Sequence, residues 1–137
     1  MKIKRIRIIK NEKGASAVEF AIILPILIML VFGIFQFGIA YNNYITITHA
    51  AREGARRAAV DLDISNLSPL KQIIIDRAYP IPLTEADIDI RTPEGIKIGD
   101  PVVVEITYNM TVEIPLVGSW DIPLKSKAVM RLENYKY

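Results

Sequence analysis

The sequence contains no cysteine. Without a thiol the chain forms no disulfide, and it has neither a cysteine nucleophile nor a thiolate metal ligand. It has one histidine, His49, and it lacks the G-x-S-x-G motif, the Walker A loop and any Cys/His cluster. We therefore expect no enzymatic activity, no cofactor and no small-molecule substrate, and we interpret His49 as an interfacial polar residue.

Formal charge is missing from the whole stretch between Phe20 and Ala51 when His49 is neutral. Residues 20–41, at about 1.5 Å of rise each, form a helix of about 33 Å, which is long enough to cross a hydrocarbon core of about 30 Å. A cleavable secretory signal has a shorter apolar core of about 7–15 residues. The pattern predicts a retained transmembrane helix at about residues 20–41.

Basic residues are concentrated before this apolar run. Residues 1–13 contain six Lys/Arg and one Glu, whereas residues 50–137 contain 11 basic and 13 acidic residues. Because positive flanks stay in the cytoplasm, we predict a single-pass protein of the cytoplasmic (inner) membrane, with a cytoplasmic N-terminus and an extracytoplasmic C-terminal domain. The basic excess lies in a tail and not on a folded face, so we expect no nucleic-acid partner.

The helix is predicted to continue beyond the membrane to about residue 60. Tyr41 and Tyr44 are placed as interfacial anchors. In the outer part Glu53 lies four residues before Arg57, a spacing at which the two side chains meet on a helix. The same part carries a small-residue surface suited to close packing, formed by Ala51, Ala55, Ala58 and Ala59.

The remaining residues alternate as a small mixed domain. Ser68 is predicted to cap a short helix with Pro69 at its first position, and alternating apolar residues predict strands at 86–92, at 102–114 and around 124–132, with residues 115–121 as the return. The predicted fold is α+β: a long N-terminal membrane-spanning helix continuing into a small extracytoplasmic domain with one short helix and a three- to four-stranded antiparallel sheet. The divisions are a basic cytoplasmic leader (1–14), the long helix (15–60) and the domain (61–137).

Two acidic patterns resemble metal-binding sequences. Residues 61–65 begin like a calcium loop, but Asn66 and Gln72 stand where Gly and Glu belong. Ligands from one element rarely complete a coordination shell, which argues against a second candidate group on one strand, Glu85, Asp87 and Asp89. We interpret both patterns as solvated and expect no metal site.

The junction between the basic tail and the apolar helix carries one acid, Glu19. A carboxylate at the edge of a membrane is costly unless it is paired or near headgroups. If the chain were cut after Gly14, Ala15 would gain a free ammonium, and Glu19 would face it one helical turn later. Cleavage would thus create the missing counter-charge. Further along, Pro25 removes one backbone hydrogen bond and permits a kink.

A basic leader ending in Gly14, followed by a glutamate at the fifth mature position, resembles prepilins of the type IV class. The segments GASAVEFAIILPILIMLVFGIFQFGIAY, AAREGARRAAV and AVMRLE resemble, more closely, the TadE family of Tad/Flp pilus pseudopilins. Phe20 follows the glutamate where the major Flp pilins typically have tyrosine, which favours a pseudopilin over the main pilus subunit.

This resemblance implies processing and assembly. A prepilin peptidase would cut between Gly14 and Ala15, and Glu19 would neutralise charge in an assembly whose core is the membrane helix. The expected partners are the lipid bilayer, the peptidase, other Tad pilins and pseudopilins, and the inner-membrane platform. The alternative is an uncleaved, single-pass anchored binding module with an outward-facing domain.

Overall fold

The computed structural model describes residues 12–136. Its largest element is one helix, α1, spanning Glu12–Val60. Most of the predicted basic leader, residues 1–11, lies outside the described residues. The prediction of a long apolar N-terminal helix is confirmed.

The inner half of α1 is not covered by the rest of the chain. Most of its large apolar side chains from Val18 to Phe35 are exposed, and none of its most apolar 18-residue window is buried within the molecule. A core helix of a water-soluble protein would be mostly buried at these positions. By length and composition α1 is the one candidate membrane-spanning helix of the described chain, which fits a single-pass membrane protein.

Beyond α1 the chain forms a second helix and short and long strands. These are β1 (Leu62–Asp63), α2 (Ser68–Arg77), β2 (Ile88–Arg91), β3 (Pro101–Ile114), β4 (Gly118–Arg131) and β5 (Tyr135–Lys136). The main sheet is antiparallel in the order β2-β3-β4. The predicted α+β class, single short helix and three-stranded antiparallel sheet are confirmed.

The connection between β3 and β4 is shorter than predicted. Ile114 pairs with Gly118, so residues 115–117 alone form the return, and the prediction that it extends to Asp121 is wrong. The reason is a tight turn, in which the Val117 N–H donates to the Ile114 carbonyl at 3.1 Å. Trp120 and Asp121 therefore belong to β4.

Ser68 does not cap α2. The residue before it, Leu67, already has helical dihedral angles (φ −83°, ψ −7°), and α2 has no side-chain cap hydrogen bond. The Ser68 hydroxyl instead donates to Glu85 Oε1 at 2.5 Å. The capping prediction was wrong because a carboxylate distant in sequence took the hydroxyl; Pro69 does lie in the first turn.

The core lies between the outer half of α1 and the other elements. The predicted small-residue surface is buried, with Ala51, Ala55 and Ala58 fully inaccessible. Opposite it lie Ile74 of α2, Val104 and Ile106 of β3, and Ala128 of β4. Alanines present almost no side chain, so the sheet and α2 both approach the helix backbone closely.

Strand β3 runs alongside α1 toward the apolar N-terminal half of this helix. Val102 packs in one cluster with Ala58, and eleven positions along the sequence the Glu113 carbonyl accepts from Gln36 Nε2 at 3.0 Å. From Ala58 to Gln36 the helix covers about 33 Å, and from Val102 to Glu113 an extended strand covers about 36 Å. The two elements therefore run side by side over this whole length.

The end of the chain returns to the end of α1. The N–H groups of Glu133 and Asn134 both donate to the Ala59 carbonyl, at 2.7 and 3.1 Å, and β5 pairs in parallel with β1. A carbonyl in the last turn of a helix has no partner within the helix, so these bonds satisfy it and fasten the end of the chain to α1.

Candidate processing and assembly segment

The predicted cleavage position lies in the first turns of α1. Gly14 is partly exposed and Ala15 is exposed, and both have helical backbone. The first N–H groups of a helix have no carbonyl partner within it, and glycine disfavours the helical state by about 1 kcal/mol relative to alanine. The peptide bond between Gly14 and Ala15 is therefore in a part of the helix that opens at little cost.

Glu19 is exposed and lies on α1 four residues after Ala15. Side chains with this spacing lie on the same helix face, about 5–6 Å apart at Cβ. The next acidic residue in the sequence is Glu53. The whole apolar part of the helix therefore has this one carboxylate, one helical turn after the residue whose nitrogen a cut would expose.

Pro25 lies within α1, which continues as a single helix through it. Its nitrogen carries no hydrogen, so the carbonyl one turn earlier loses its usual helical donor. Membrane helices tolerate this loss when neighbouring groups take over the carbonyl. A kink at this position stays a prediction.

Two residues of α1, Gln36 and Gly54, position the outer region, by which we mean the helix and strands that follow α1 (residues 61–136). The sequence analysis identified neither of them. The Gln36 side-chain amide donates to the end of β3. A Cβ atom added at Gly54 would lie 2.5 Å from Ile74 Cδ1, so the missing side chain is what lets α2 pack against α1. A signal existed for Gln36, the only amide between Glu19 and Asn42, whereas Gly54 needed knowledge of its neighbour.

Glu53 makes the ion pair that the sequence predicted and one more. Its Oε1 accepts from Arg57 Nε at 3.0 Å, and its two oxygens accept from Arg56 Nε and Nη2 at 3.1 and 3.0 Å. The hydrogen bonds from Arg56, followed by those from Arg57 and the charge of both guanidinium groups, lower the pKa of Glu53 against the opposing effect of desolvation. The same contact raises the pKa of Arg56.

The side chains of the acidic patterns form hydrogen bonds and an ion pair with other protein groups. Glu85 accepts from Ser68, Asp89 pairs with Arg91 at 2.7 Å, and Asp87 accepts from the Thr84 hydroxyl and N–H, both at 2.7 Å. In the Asp61–Ser65 stretch, Asp63 Oδ1 accepts from the Ser65 hydroxyl at 2.6 Å. Within residues 12–136 no three His, Cys, Asp or Glu side chains are grouped as metal ligands. His49 is exposed on α1.

Residues 14–56 match the family model described as TadE-like protein. This segment, less than half of the 137-residue chain, is similar to TadE-like proteins. The match begins at the predicted cleavage position and contains Glu19 and Pro25, so the resemblance is confirmed for the helix and its junction. It ends before β1, so α2 and the sheet lie outside it. No curated protein and no solved structure matches the chain at a significant level.

The exposed apolar helix, which carries the TadE-like match, fits a single-pass membrane protein. The matched family is structural and pilus-related. Among the described residues, the features that bear on function are thus the ends and faces of α1, and the elements packed along its outer half.

Proposed function

We propose that the protein is a TadE-like pseudopilin, or minor pilin, that assists assembly of an adhesive Tad/Flp-type pilus and is cut after Gly14 by a prepilin peptidase. The observation that carries the proposal is the placing of Gly14 and Glu19 five residues apart, at the start of an uncovered apolar helix and within a TadE-like match.

The cut would change the charge of the helix end. It removes the basic leader and leaves an ammonium on Ala15, on the same helix face as the Glu19 carboxylate. Two opposite charges attract far more strongly near lipid than in water, because the dielectric constant falls. Glu19 would neutralise its own ammonium or the ammonium of a neighbouring subunit, which favours insertion of the processed helix into a bundle.

The exposed inner half of α1 would supply both the anchor and the packing surface. In the bilayer its side chains contact lipid, and in an assembly they contact other helices. The proposed partners are therefore the bilayer, the prepilin peptidase, other Tad pilins and pseudopilins, and the inner-membrane platform. The N-terminus lies in the cytoplasm and residues 61–137 lie outside the inner membrane in this proposal.

The alternative is a permanently anchored binding module. One observation favours it: the family match ends at residue 56, whereas the outer region forms its own helix and sheet packed on the helix. Such a module needs an anchor but no cleavage, so it leaves the spacing between Gly14 and Glu19 unexplained.

The N-terminal sequence and intact mass of the protein from its native membrane separate the two functions. With the peptidase present we expect a chain that begins at Ala15; with the peptidase deleted, a chain that begins at the original N-terminus. Gly14→Leu should stay uncut because small residues fit such cleavage sites, and Gly33→Ala is the matched control that should be cut normally. A full-length chain in a strain with active peptidase contradicts processing.

Dependence of the pilus on the protein tests the second half of the proposal. Deletion should reduce the number of pili, and expression of the cut form should restore it. Normal piliation without the protein would favour the anchored binding module.

A further inference from the structure

We propose that the tip of the β3–β4 hairpin, residues 114–118, enters the outward-facing leaflet of the bilayer and is a second membrane contact beside α1. The inference takes from the proposed function only that α1 spans the membrane. It requires neither cleavage nor a pilus.

The tip is apolar and uncovered. From Ile114 to Trp120 the sequence has no charged residue. Leu116 is 80% exposed, Val117 59% and Trp120 43%. Neighbouring large apolar side chains left exposed at the end of a hairpin mark a surface that contacts lipid or another protein.

The position of the tip along α1 identifies lipid as the occupant. The hairpin end lines one cleft with Phe32 and Gln36, and Gln36 holds it by the 3.0 Å bond to the Glu113 carbonyl. Gln36 lies five residues before Tyr41, the outer end of the predicted span, and is therefore about 7.5 Å deeper. At this depth, the boundary between headgroups and acyl chains, whatever surrounds α1 also surrounds the tip.

The backbone at Leu116 indicates that an apolar side chain is kept at the tip. Leu116 has a φ of 70°, and it follows Pro115 in the turn closed by the Ile114–Val117 hydrogen bond. Turns with a positive φ at this place favour glycine or asparagine, and a branched apolar residue is disfavoured there. In water asparagine would suit the turn better, so the leucine fits an apolar surrounding.

Charged residues begin where the tip should leave the lipid. Glu113 ends the charged part of β3, and Asp121 begins that of β4, where its Oδ1 accepts from the Thr111 hydroxyl at 2.7 Å. On β4, Trp120, the residue type enriched at membrane interfaces, stands between Asp121 and the tip, whereas Glu113 pairs with Ser119, one position nearer the tip. Along β4 the order of charge, tryptophan and aliphatic tip matches the order of water, headgroups and acyl chains.

The absence of cysteine in the chain permits a direct depth measurement. A spin label at Val117→Cys, in full-length protein reconstituted in phosphatidylcholine/phosphatidylglycerol vesicles, should relax more with oxygen than with a water-soluble nickel chelate. The matched control is Ile98→Cys, which replaces an exposed apolar residue near the opposite end of β3. We expect an oxygen-to-nickel accessibility ratio about threefold higher at position 117, because oxygen concentrates in acyl chains whereas the chelate stays in water.

Equal ratios at the two positions would overturn the inference. A high ratio at position 117 that falls as lipid is added at constant protein would also overturn it, since the covering surface would then be a second copy of the chain. The vesicles contain no pilus proteins, so failure of the pilus proposal leaves this result unaffected.

The single tryptophan provides an independent reading. Lipids brominated near the headgroup should quench Trp120 fluorescence in the unlabelled protein. Leu116→Asn suits the turn and removes the apolar anchor, so it should reduce this quenching by about half or more while the outer region stays folded. Unchanged quenching in Leu116→Asn contradicts the inference.

Discussion

The closest approach of α1 and α2 depends on one residue without a side chain. Gly54 is buried, and an added Cβ would lie 2.5 Å from Cδ1 and 2.6 Å from Cγ1 of Ile74. Ile74 itself is 1% exposed and packed on every side. A methyl group at position 54 would therefore force the Ile74 side chain to shift within the core.

Gly54→Ala should therefore destabilise the outer region. Overpacking a core costs about 1–3 kcal/mol, and the gain in helix propensity offsets about 1 kcal/mol. We expect the free energy of unfolding to fall by about 1 kcal/mol, measured by chemical denaturation in detergent micelles.

Two further variants make this measurement specific. Gly38→Ala is the control, because no atom lies within 4 Å of the added Cβ, and it should leave unfolding of the outer region unchanged. Ile74→Val in the Gly54→Ala background removes the clashing Cδ1, so the double variant should lose less stability than the two single losses added together. Strict additivity would mean that the two side chains do not meet.

At this scale sequence reasoning worked where the partner is near in sequence. The Glu53–Arg57 pair followed from helical spacing, and the buried alanines followed from composition. Ser68 failed because its hydroxyl bonds to Glu85, 17 residues away. Gly54 was missed because its role is defined by Ile74, which only the folded chain brings close.

Among the elements, the long pairing of β3 with α1 was the least predictable. Alternation along residues 102–114 indicated which face of the strand is buried, and the structure buries Val104, Ile106 and Met110. It did not indicate which element covers that face or in which direction the strand runs. The small residues of α1 show that something packs closely there, but a strand running either way would satisfy them.

The outer half of α1 should carry part of the acid sensitivity of the protein. Glu53 has a folded-state pKa below its ordinary value of 4.5, so its ion pairs stabilise the fold above about pH 4.5, and this contribution is lost as the pH falls through the lowered folded-state pKa. Glu53→Gln removes this contribution. When the pH is lowered from about 5 to about 3, the melting temperature of the variant should therefore fall less than that of the unaltered protein.

Circular dichroism melts across this pH range test the assignment. Glu94→Gln is the matched control, because Glu94 is an exposed carboxylate outside the helix. The melting temperature of this variant should fall at low pH as much as that of the unaltered protein. If the melting temperature of Glu53→Gln falls as much at low pH as that of the unaltered protein, other carboxylates determine the acid sensitivity.

The whole molecule is a helix with a domain fastened along its outer half, and the proposed assembly role should depend on the end farthest from that domain. Glu19→Gln keeps the size of the side chain and removes its charge. If Glu19 pairs with the ammonium of a cut chain, incorporation into the assembly should fall about tenfold or more, since a charge unpaired near lipid is costly, while the N-terminus found on the protein stays Ala15.

The comparison that matters is with Glu53→Gln, which alters a carboxylate on the same helix but outside the apolar part. Pull-down of other pilus subunits from crosslinked membranes would measure incorporation for both. Equal recovery of partners by Glu19→Gln and by the unaltered protein would refute charge pairing as the cause of recruitment.

At the molecular scale the sequence revealed the parts and little of their arrangement. The apolar run predicted α1, and Gly14, Glu19 and the segments around them indicated the TadE-like resemblance confirmed at residues 14–56. The hairpin reaching back to Phe32 and Gln36 was not foreseen, because no local pattern specifies how far a domain descends along its own anchor.

The return of the chain to Ala59 has a mechanical consequence. Because Glu133 and Asn134 bond to the Ala59 carbonyl and β5 lies parallel to β1, tension applied beyond Lys136 would pass directly into α1. The three-stranded sheet would stay outside the line of force. A chain fastened in this way could carry load between neighbours while its hairpin and helix remain folded.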